Sequence, residues 1–214
     1  MSTGRILQRV STNQKVIALT FDIAYGHQVP PRMLSVLRRI GVRKATFFIT
    51  GIWAGLNPGL AKRIRQNGYE IASHGHQHKD YRKHTDSWIE KEVKTAKRII
   101  RQTTGVNTNM FRPPGGDMNQ RVVHKLKSMN QTIVHWDVDS LDWKQTDINK
   151  IVERVVPRTR TGSIILLHAC DPWFQSLKAV AIIVRKLRQK GYRFVTVTEL
   201  LREQKRRRKS GSSR

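Results

Sequence analysis

Short apolar runs rich in β-branched and aromatic residues alternate with longer segments whose apolar positions recur every three or four residues, and the alternation repeats about seven times. Lys15 to Phe21 reads as the first strand. Pro31 at a helix start and Gly41 past its end bracket a helix carrying Met33, Leu34, Leu37 and Ile40. Ala45 to Thr50 is the next strand, Pro58 and Gly68 bracket a second helix, and Tyr69 to Ser73 forms a third strand. The longest helix is expected to open near Asp86 or Ser87, with Glu90 completing a capping box on Ser87. It carries Ile89, Val93, Ala96 and Ile100 before Gly105 stops it. Four further strands are predicted near Asn109 to Phe111, at Thr132 to Val138, at Ser163 to Leu167 and at Phe194 to Val197. Helices follow them from about Asn119, from about Asp147, up to Gly191 and from Thr198.

Repeated βα units predict an α/β protein with a single domain, most simply a (β/α) barrel of about seven units; an open doubly wound sheet is the alternative. The domain is expected to span residues 15–201, between an N-terminal extension, 1–14, and a basic C-terminal tail, 202–214.

Composition narrows the function classes. With 38% hydrophobic and 26% charged residues in 214, the chain has the makeup of a folded domain. Lys and Arg number 41 against 15 Asp and Glu, a net charge of +26. Such charge attracts polyanions and resists self-association, so a monomer is expected, with nucleic acid, anionic lipid or anionic cell-wall polymer as candidate partners. No zinc-finger cysteines and no aromatic RNA-binding strand are present, so specific nucleic-acid binding is not expected. The tail holds seven Lys or Arg and one Glu, so most of the charge belongs to the domain, and the tail reads as solvated helix end. Cys170 is the single cysteine and cannot form an intrachain disulfide. No apolar run approaches a transmembrane span, and the first ten residues lack the apolar core of a signal peptide. Either the protein stays inside the cell or a leader is missing.

Candidate chemistry falls at the same place in five of the units. Asp22, the stretch His74 to His78, Arg112, the stretch Asp137 to Asp142, and His168 each lie at or just past the carboxyl end of a predicted strand. That edge is where loops of α/β folds converge on a site. His74-Gly-His-Gln-His78 offers imidazoles four apart that can face one cation, or else a solvated polar loop. His168, directly after Ile164 to Leu167, suits proton donation near neutral pH, or a structural hydrogen bond. Asp22 reads as a general base or a turn cap. In Arg112-Pro-Pro-Gly-Gly, two prolines and two glycines build a rigid turn whose backbone N–H groups could face a substrate oxygen. An aspartate of Asp137 to Asp142 could orient His168, or close an Asx turn beside a packed Trp143.

In order, Thr20-Phe-Asp22, His74-x3-His78, Arg112-Pro-Pro-Gly-Gly, Asp139-Ser-Leu-Asp-Trp143 and Leu166-Leu-His168 resemble the motifs of the polysaccharide deacetylase family, the NodB homology domain or carbohydrate esterase family 4. The resemblance runs from about Val16 to Leu201, and Ala45-Thr-Phe-Phe48 is similar to the family's second strand. It implies a distorted (β/α) barrel and metal-dependent N-deacetylation of N-acetylglucosamine-type units in peptidoglycan or a chitin-like glycan, in an extracytoplasmic or wall-associated setting. It also implies that His74 and His78 bind a divalent metal, Zn²⁺ first and Co²⁺ as the alternative. Asp22 would be the base, Arg112 would hold Asp22, Asp142 would tune His168, and His168 would be the acid. Trp143 and Leu166 would line the acetyl pocket, and the Gly115 N–H would meet the oxyanion. The family's first motif usually continues with a second, metal-binding aspartate. Here Ile23 stands at that position, within a variant, Thr20-Phe-Asp-Ile-Ala-Tyr-Gly26, that resembles sporulation-associated members. The third ligand would then be Asp22, a neighbour such as His76 or Asp80, or water. The alternative is a weakly active or inactive glycan-binding paralogue.

Overall fold

A computed structural model describes residues 6–211, with side chains described through residue 206. Residues 1–5 of the expected extension and 212–214 of the expected tail lie outside the described residues. In chain order the elements are β1 (Val16–Ile23), α1 (Val29–Arg39), β2 (Thr46–Ile49), α2 (Gly51–Leu56), α3 (Pro58–Gln66), β3 (Glu70–Ser73), α4 (Asp86–Thr104), β4 (Met110–Phe111), α5 (Gln120–Ser128), β5 (Thr132–Ile133), β6 (Val138–Asp139), α6 (Ile148–Val155), β7 (Ile164–His168), α7 (Gln175–Gln189), β8 (Arg193–Phe194) and α8 (Val197–Gly211). Seven strands run parallel in the order β5-β4-β3-β2-β1-β7-β6, and β8 adds to the start of β1. The sheet curls into a half-barrel with the helices packed outside, as the βα repeat predicts.

β1 is the central strand and all eight of its residues are buried. Alternation sends them to two layers. Ile17, Leu19, Phe21 and Ile23 face the helices in the main apolar cluster, with Leu37, Phe47, Ile165, Leu167 and Ile183. Val16 and Ala18 point into the barrel, against Phe48, Ala72, Val134 and Ile164. Full burial of each large apolar side chain contributes roughly 1.5–3 kcal/mol, so the strand that carries Asp22 is firmly held.

Local signals explain the element ends. α4 ends on Gly105 in the left-handed conformation, φ 72°, as its sequence predicts. Its N-cap is Thr85, whose side chain accepts from the Trp88 N–H; Glu90 instead pairs with Lys94 and Lys125. The expected strand Thr132 to Val138 is divided into β5 and β6, because here the chain crosses the seam of the barrel. The Asp137 carboxylate accepts from the Ile164 N–H at 2.9 Å and from the Ser163 hydroxyl at 2.9 Å, replacing strand pairing with side-chain bonds.

The N-terminal segment stitches that seam. Leu7 bridges Val134 in parallel and Arg9 bridges Ser163 in antiparallel fashion. Gly162 receives the Val10 N–H at 2.9 Å. Its φ is +80°, and a Cβ there would fall 1.8 Å from the Val10 carbonyl oxygen, so only glycine fits. Among the described residues no helix is long and apolar enough to cross a membrane.

Candidate active site

Asp22 and His168 are register partners on β1 and β7. Both side chains project to the barrel interior at the carboxyl end of the sheet. Arg112, fully buried at the end of β4, reaches beneath them. Its Nη1 donates to Asp22 Oδ1 at 2.6 Å, while Nη2 donates to Thr20 Oγ1 at 2.9 Å and to the His135 carbonyl at 3.1 Å. The guanidinium also stacks 4.0 Å from the Phe48 ring centroid. Burial alone would raise the Asp22 carboxyl. The Arg112 charge, helped by His74 and His168, outweighs it and holds Asp22 below the ordinary carboxylate value.

The Arg112 backbone serves the neighbouring ring as well. Its carbonyl lies 2.9 Å from His74 Nδ1, which makes Nδ1 the protonated nitrogen and leaves a lone pair on Nε2. That Nε2 faces Asp22 Oδ2 at 3.6 Å. Burial pushes the His74 ring down to about 4, so it is neutral at pH 7. His78, its ring centroid 5.2 Å from that of His74, is lowered by burial too.

Of the candidate third ligands Asp22 faces His74 Nε2, whereas His76 and Asp80 are directed elsewhere and Ile23, at the position of the missing aspartate, points away. Ile23 is buried in the helix-side cluster. The His76 Nδ1 is buried, has no hydrogen-bond partner among the described residues and sits against Gly51 at the start of α2. Asp80 caps the short turn Tyr81–Lys83 and pairs with Arg82 at 2.9 Å. Among the described residues, no three His, Cys, Asp or Glu side chains converge into a complete metal shell. The donors at hand still suit a divalent cation. His74 Nε2 carries a lone pair and His78 lies beside it, the two ring centroids 5.2 Å apart, both acceptor groups of the kind a divalent cation takes.

Beside Asp22 on the neighbouring strand, His168 Nδ1 lies 2.6 Å from Asp142 Oδ1. Asp142 is fully buried, and its Oδ2 accepts from the His168 N–H at 2.9 Å and the Ser176 hydroxyl at 2.7 Å. Burial lowers the His168 ring, but the Asp142 carboxylate more than compensates and the net shift is upward. Leu141 adopts φ 52°, a conformation uncommon for a branched side chain, and the Asp139 carboxylate accepts its N–H at 2.9 Å. This turn sends Asp142 inward and leaves Trp143 46% exposed.

These groups share one cavity of about 310 Å³, lined also by Gly115, Trp143 and Leu166. Every residue to which the motifs assigned a role borders it or, as with Arg112 and Asp142, holds one that does. Tyr25, Trp136, Cys170 and Trp173 line it as well and were not singled out from the sequence. Tyr25 lies three residues past Asp22, inside the variant motif, and that position is the one signal that could have found it. Ser176 gives no sequence signal.

The Asp22–Arg112 and His168–Asp142 pairs thus stand at the strand ends of one parallel half-barrel, the edge where (β/α)-barrel enzymes place their sites. The sequence profile of the family described as Polysaccharide deacetylase matches residues 9–134. A peptidoglycan-N-acetylglucosamine deacetylase of Bacillus cereus is 35% identical over 203 residues, 94% of each chain. YlxY of Bacillus subtilis, described as an uncharacterized protein, is 34% identical over 191 residues; these span 89% of the present chain and 59% of YlxY. Among solved structures, BA3943 of Bacillus anthracis, a CE4 family pseudoenzyme, superposes with a TM-score of 0.86 at 29% identity, covering 93% of this chain and 69% of that one. The chain belongs to the polysaccharide deacetylase family.

Proposed function

We propose that the protein is a metal-dependent N-deacetylase acting on N-acetylglucosamine-type units of peptidoglycan or a related glycan. The observation that carries this reading is the presence of two differently tuned pairs in one small pocket: an ionised Asp22 braced by Arg112, and a His168 whose proton is retained by Asp142. Hydrolysis of an acetamide needs both, since water must lose a proton as it adds and the amine must gain one to leave. Asp22 takes the water proton. His168 delivers its own to the nitrogen as the C–N bond breaks, giving acetate and a free amine.

The remaining residues divide binding and orientation. Trp143 and Leu166 form the apolar wall for the acetyl methyl, and the Gly115 N–H is the donor assigned to the developing oxyanion. His74 and His78 would hold the divalent cation, Zn²⁺ or Co²⁺; when bound it supplies Lewis-acid polarisation of the amide carbonyl. Both rings are neutral at working pH, the state a ligand requires. The basic surface would concentrate the protein on anionic wall polymer.

A second reading, a weakly active or inactive glycan-binding member, draws on Ile23, whose side chain lies in the apolar layer and supplies no third ligand. The similarity to the CE4 family pseudoenzyme is in keeping with it. One experiment separates the two. Acetate release is measured from N-acetylglucosamine oligomers and from peptidoglycan with Zn²⁺, Co²⁺ or chelator, for the wild type and His168→Ala. Metal-stimulated release lost in His168→Ala supports the enzyme; equal inertness of both proteins with metal supplied overturns it in favour of binding.

A further inference from the structure

The charge of the chain is unevenly placed. Asp22, Asp80, Asp117, Asp139, Asp142 and Asp171 sit at the carboxyl ends of strands or in the loops that follow them, on the side of the cavity already described. The opposite edge, where helices hand the chain back to strands, is basic. Its connections before β2, β7 and β8 carry Arg43, Lys44, Arg158, Arg160 and Lys190 and no acid.

Three open hollows lie on this basic side and meet end to end. The first, about 420 Å³, lies between α8 and β8, with Lys44, Arg193, Arg202 and Arg206 in its walls. The second, about 310 Å³, runs past the first residues of β3, β4 and β5 and holds Arg65, Thr198 and Asn107. The third, about 540 Å³, follows α4, where Lys94, Lys97, Arg98 and Arg101 recur at helical spacing over roughly 10 Å. Asn107 borders both the second and the third, and Thr198 of the second adjoins Glu199 of the first. Together they make one furrow.

Its three carboxylates are engaged from within. Glu70 accepts from the Thr46 hydroxyl at 2.6 Å, Glu199 pairs with Lys44 at 2.9 Å, and Glu203 pairs with Arg206 at 3.1 Å. Arg65, Arg101 and Arg202 make no ion pair among the described residues. Lys97 donates to Asn109 Oδ1 at 2.6 Å and Arg98 to Gln102 Oε1 at 3.1 Å, which occupies the acceptor end of each amide and leaves its NH₂ to donate. The furrow therefore offers donors and positive charge along its whole length.

We propose that this furrow binds a linear phosphodiester polymer without bases, a chain of polyol phosphates. Donors that recur along a groove match phosphates that recur along such a chain, each contact releasing a counterion. Among the described residues the exposed large apolar side chains are Tyr25, Ile52, Leu56 and Trp143, and none borders the furrow. Single-stranded nucleic acid would find no stacking platform there, and a bilayer no apolar anchor. The proposal takes only the wall setting of the polymer from the deacetylase reading. It holds the protein by the edge remote from Asp22 and His168 and leaves the cavity mouth free.

The test is calorimetric titration of the full-length protein with deacylated poly(glycerol phosphate) over a salt series, beside single-stranded DNA of equal phosphate number and phosphatidylglycerol vesicles. Two furrow variants, Arg98→Glu/Arg101→Glu and Arg193→Glu/Arg202→Glu, are compared with Lys178→Glu/Arg185→Glu on α7, which changes net charge equally outside the furrow. Each furrow variant is expected to bind the polymer about tenfold or more weakly at physiological salt and with a shallower salt dependence, and the α7 variant less than about threefold more weakly. Circular dichroism confirms that each variant is folded. No binding by wild type, or equal weakening in all three variants as net charge alone predicts, overturns the furrow; so does tighter binding of DNA or vesicles than of the polymer. Acetate release from short, uncharged N-acetylglucosamine oligomers should stay at the wild-type level in the furrow variants. A wild type that releases no acetate would sink the deacetylase reading while leaving the titration to decide the furrow.

Discussion

Asp142 grips His168 at two points, with one carboxylate oxygen 2.6 Å from the ring Nδ1 and the other accepting the backbone N–H of the same residue at 2.9 Å. Ring and main chain are thereby locked together, and Nε2 is left for the pocket. The carboxylate keeps the imidazole protonated to higher pH than an ordinary histidine.

Activity that needs the imidazolium falls as pH rises through the raised His168 value. Asp142→Asn removes the charge while preserving much of the shape, so the alkaline fall should begin at lower pH. The rate at pH 7 should drop about 10²–10⁴-fold, the usual loss for a general acid. A pH–rate profile of acetate release checks this, and a drop with no movement of the alkaline limb would count against the role of Asp142.

Arg112→Met would leave the Asp22 carboxylate buried beside Thr20 without its partner. Breaking a buried pair from one side costs roughly 3–5 kcal/mol, and the Asp22 pKa should move up toward or beyond the ordinary carboxylate value. Urea denaturation at pH 7 is expected to show a midpoint far below wild type. An unchanged midpoint would mean that Asp22 finds another donor.

The two histidines of the His74-x3-His78 motif should respond to metal without any substrate. Zn²⁺ at about one hundred times its Kd adds about 2.7 kcal/mol to the folded state, or roughly 5–10 °C in Tm for a chain of this size. The shift should appear in wild type, disappear with EDTA and be absent in His78→Ala. Equal shifts in both proteins would place the cation elsewhere.

Acid should destabilise the fold through His74 well before the carboxylates titrate. Its folded value of about 4 lies below the ordinary 6.5, so the unfolded chain takes up the proton first. Stability present above pH 6.5 is lost progressively as pH falls toward 4, by about 3 kcal/mol from this ring. His168 has the opposite sign: its contribution is full below 6.5 and is lost as pH rises through its raised value. Stability curves from pH 4 to 8 for wild type and His74→Gln check the first, with the variant expected to be flatter below 6.5.

Much of this was legible in the sequence, since the βα repeat and the strand-end position of Asp22, His74, Arg112 and His168 follow from short-range pattern. What was not legible depends on contacts between remote segments. Thr132 to Val138 has the composition of one strand, yet it divides because Asp137 bonds Ser163 and Ile164 across the barrel seam. α2 is six residues long, too short for helical period to register. The placement of Ile23 away from the pocket follows from strand alternation, but only once Asp22 is known to face inward. Tyr25 and Trp173 are 148 residues apart and meet only because β1 and β7 are neighbours.

The segment from Leu7 to Val10 leaves the ribosome before every strand of the sheet, yet its partners are Val134 and the stretch Gly162 to Ser163. During synthesis the barrel therefore stays unsealed until about three quarters of the chain has emerged, with the apolar lining around Phe48 and Ala72 exposed in the meantime. Closure is a late, long-range event, because Leu7 to Val10 must wait for partners far along the chain.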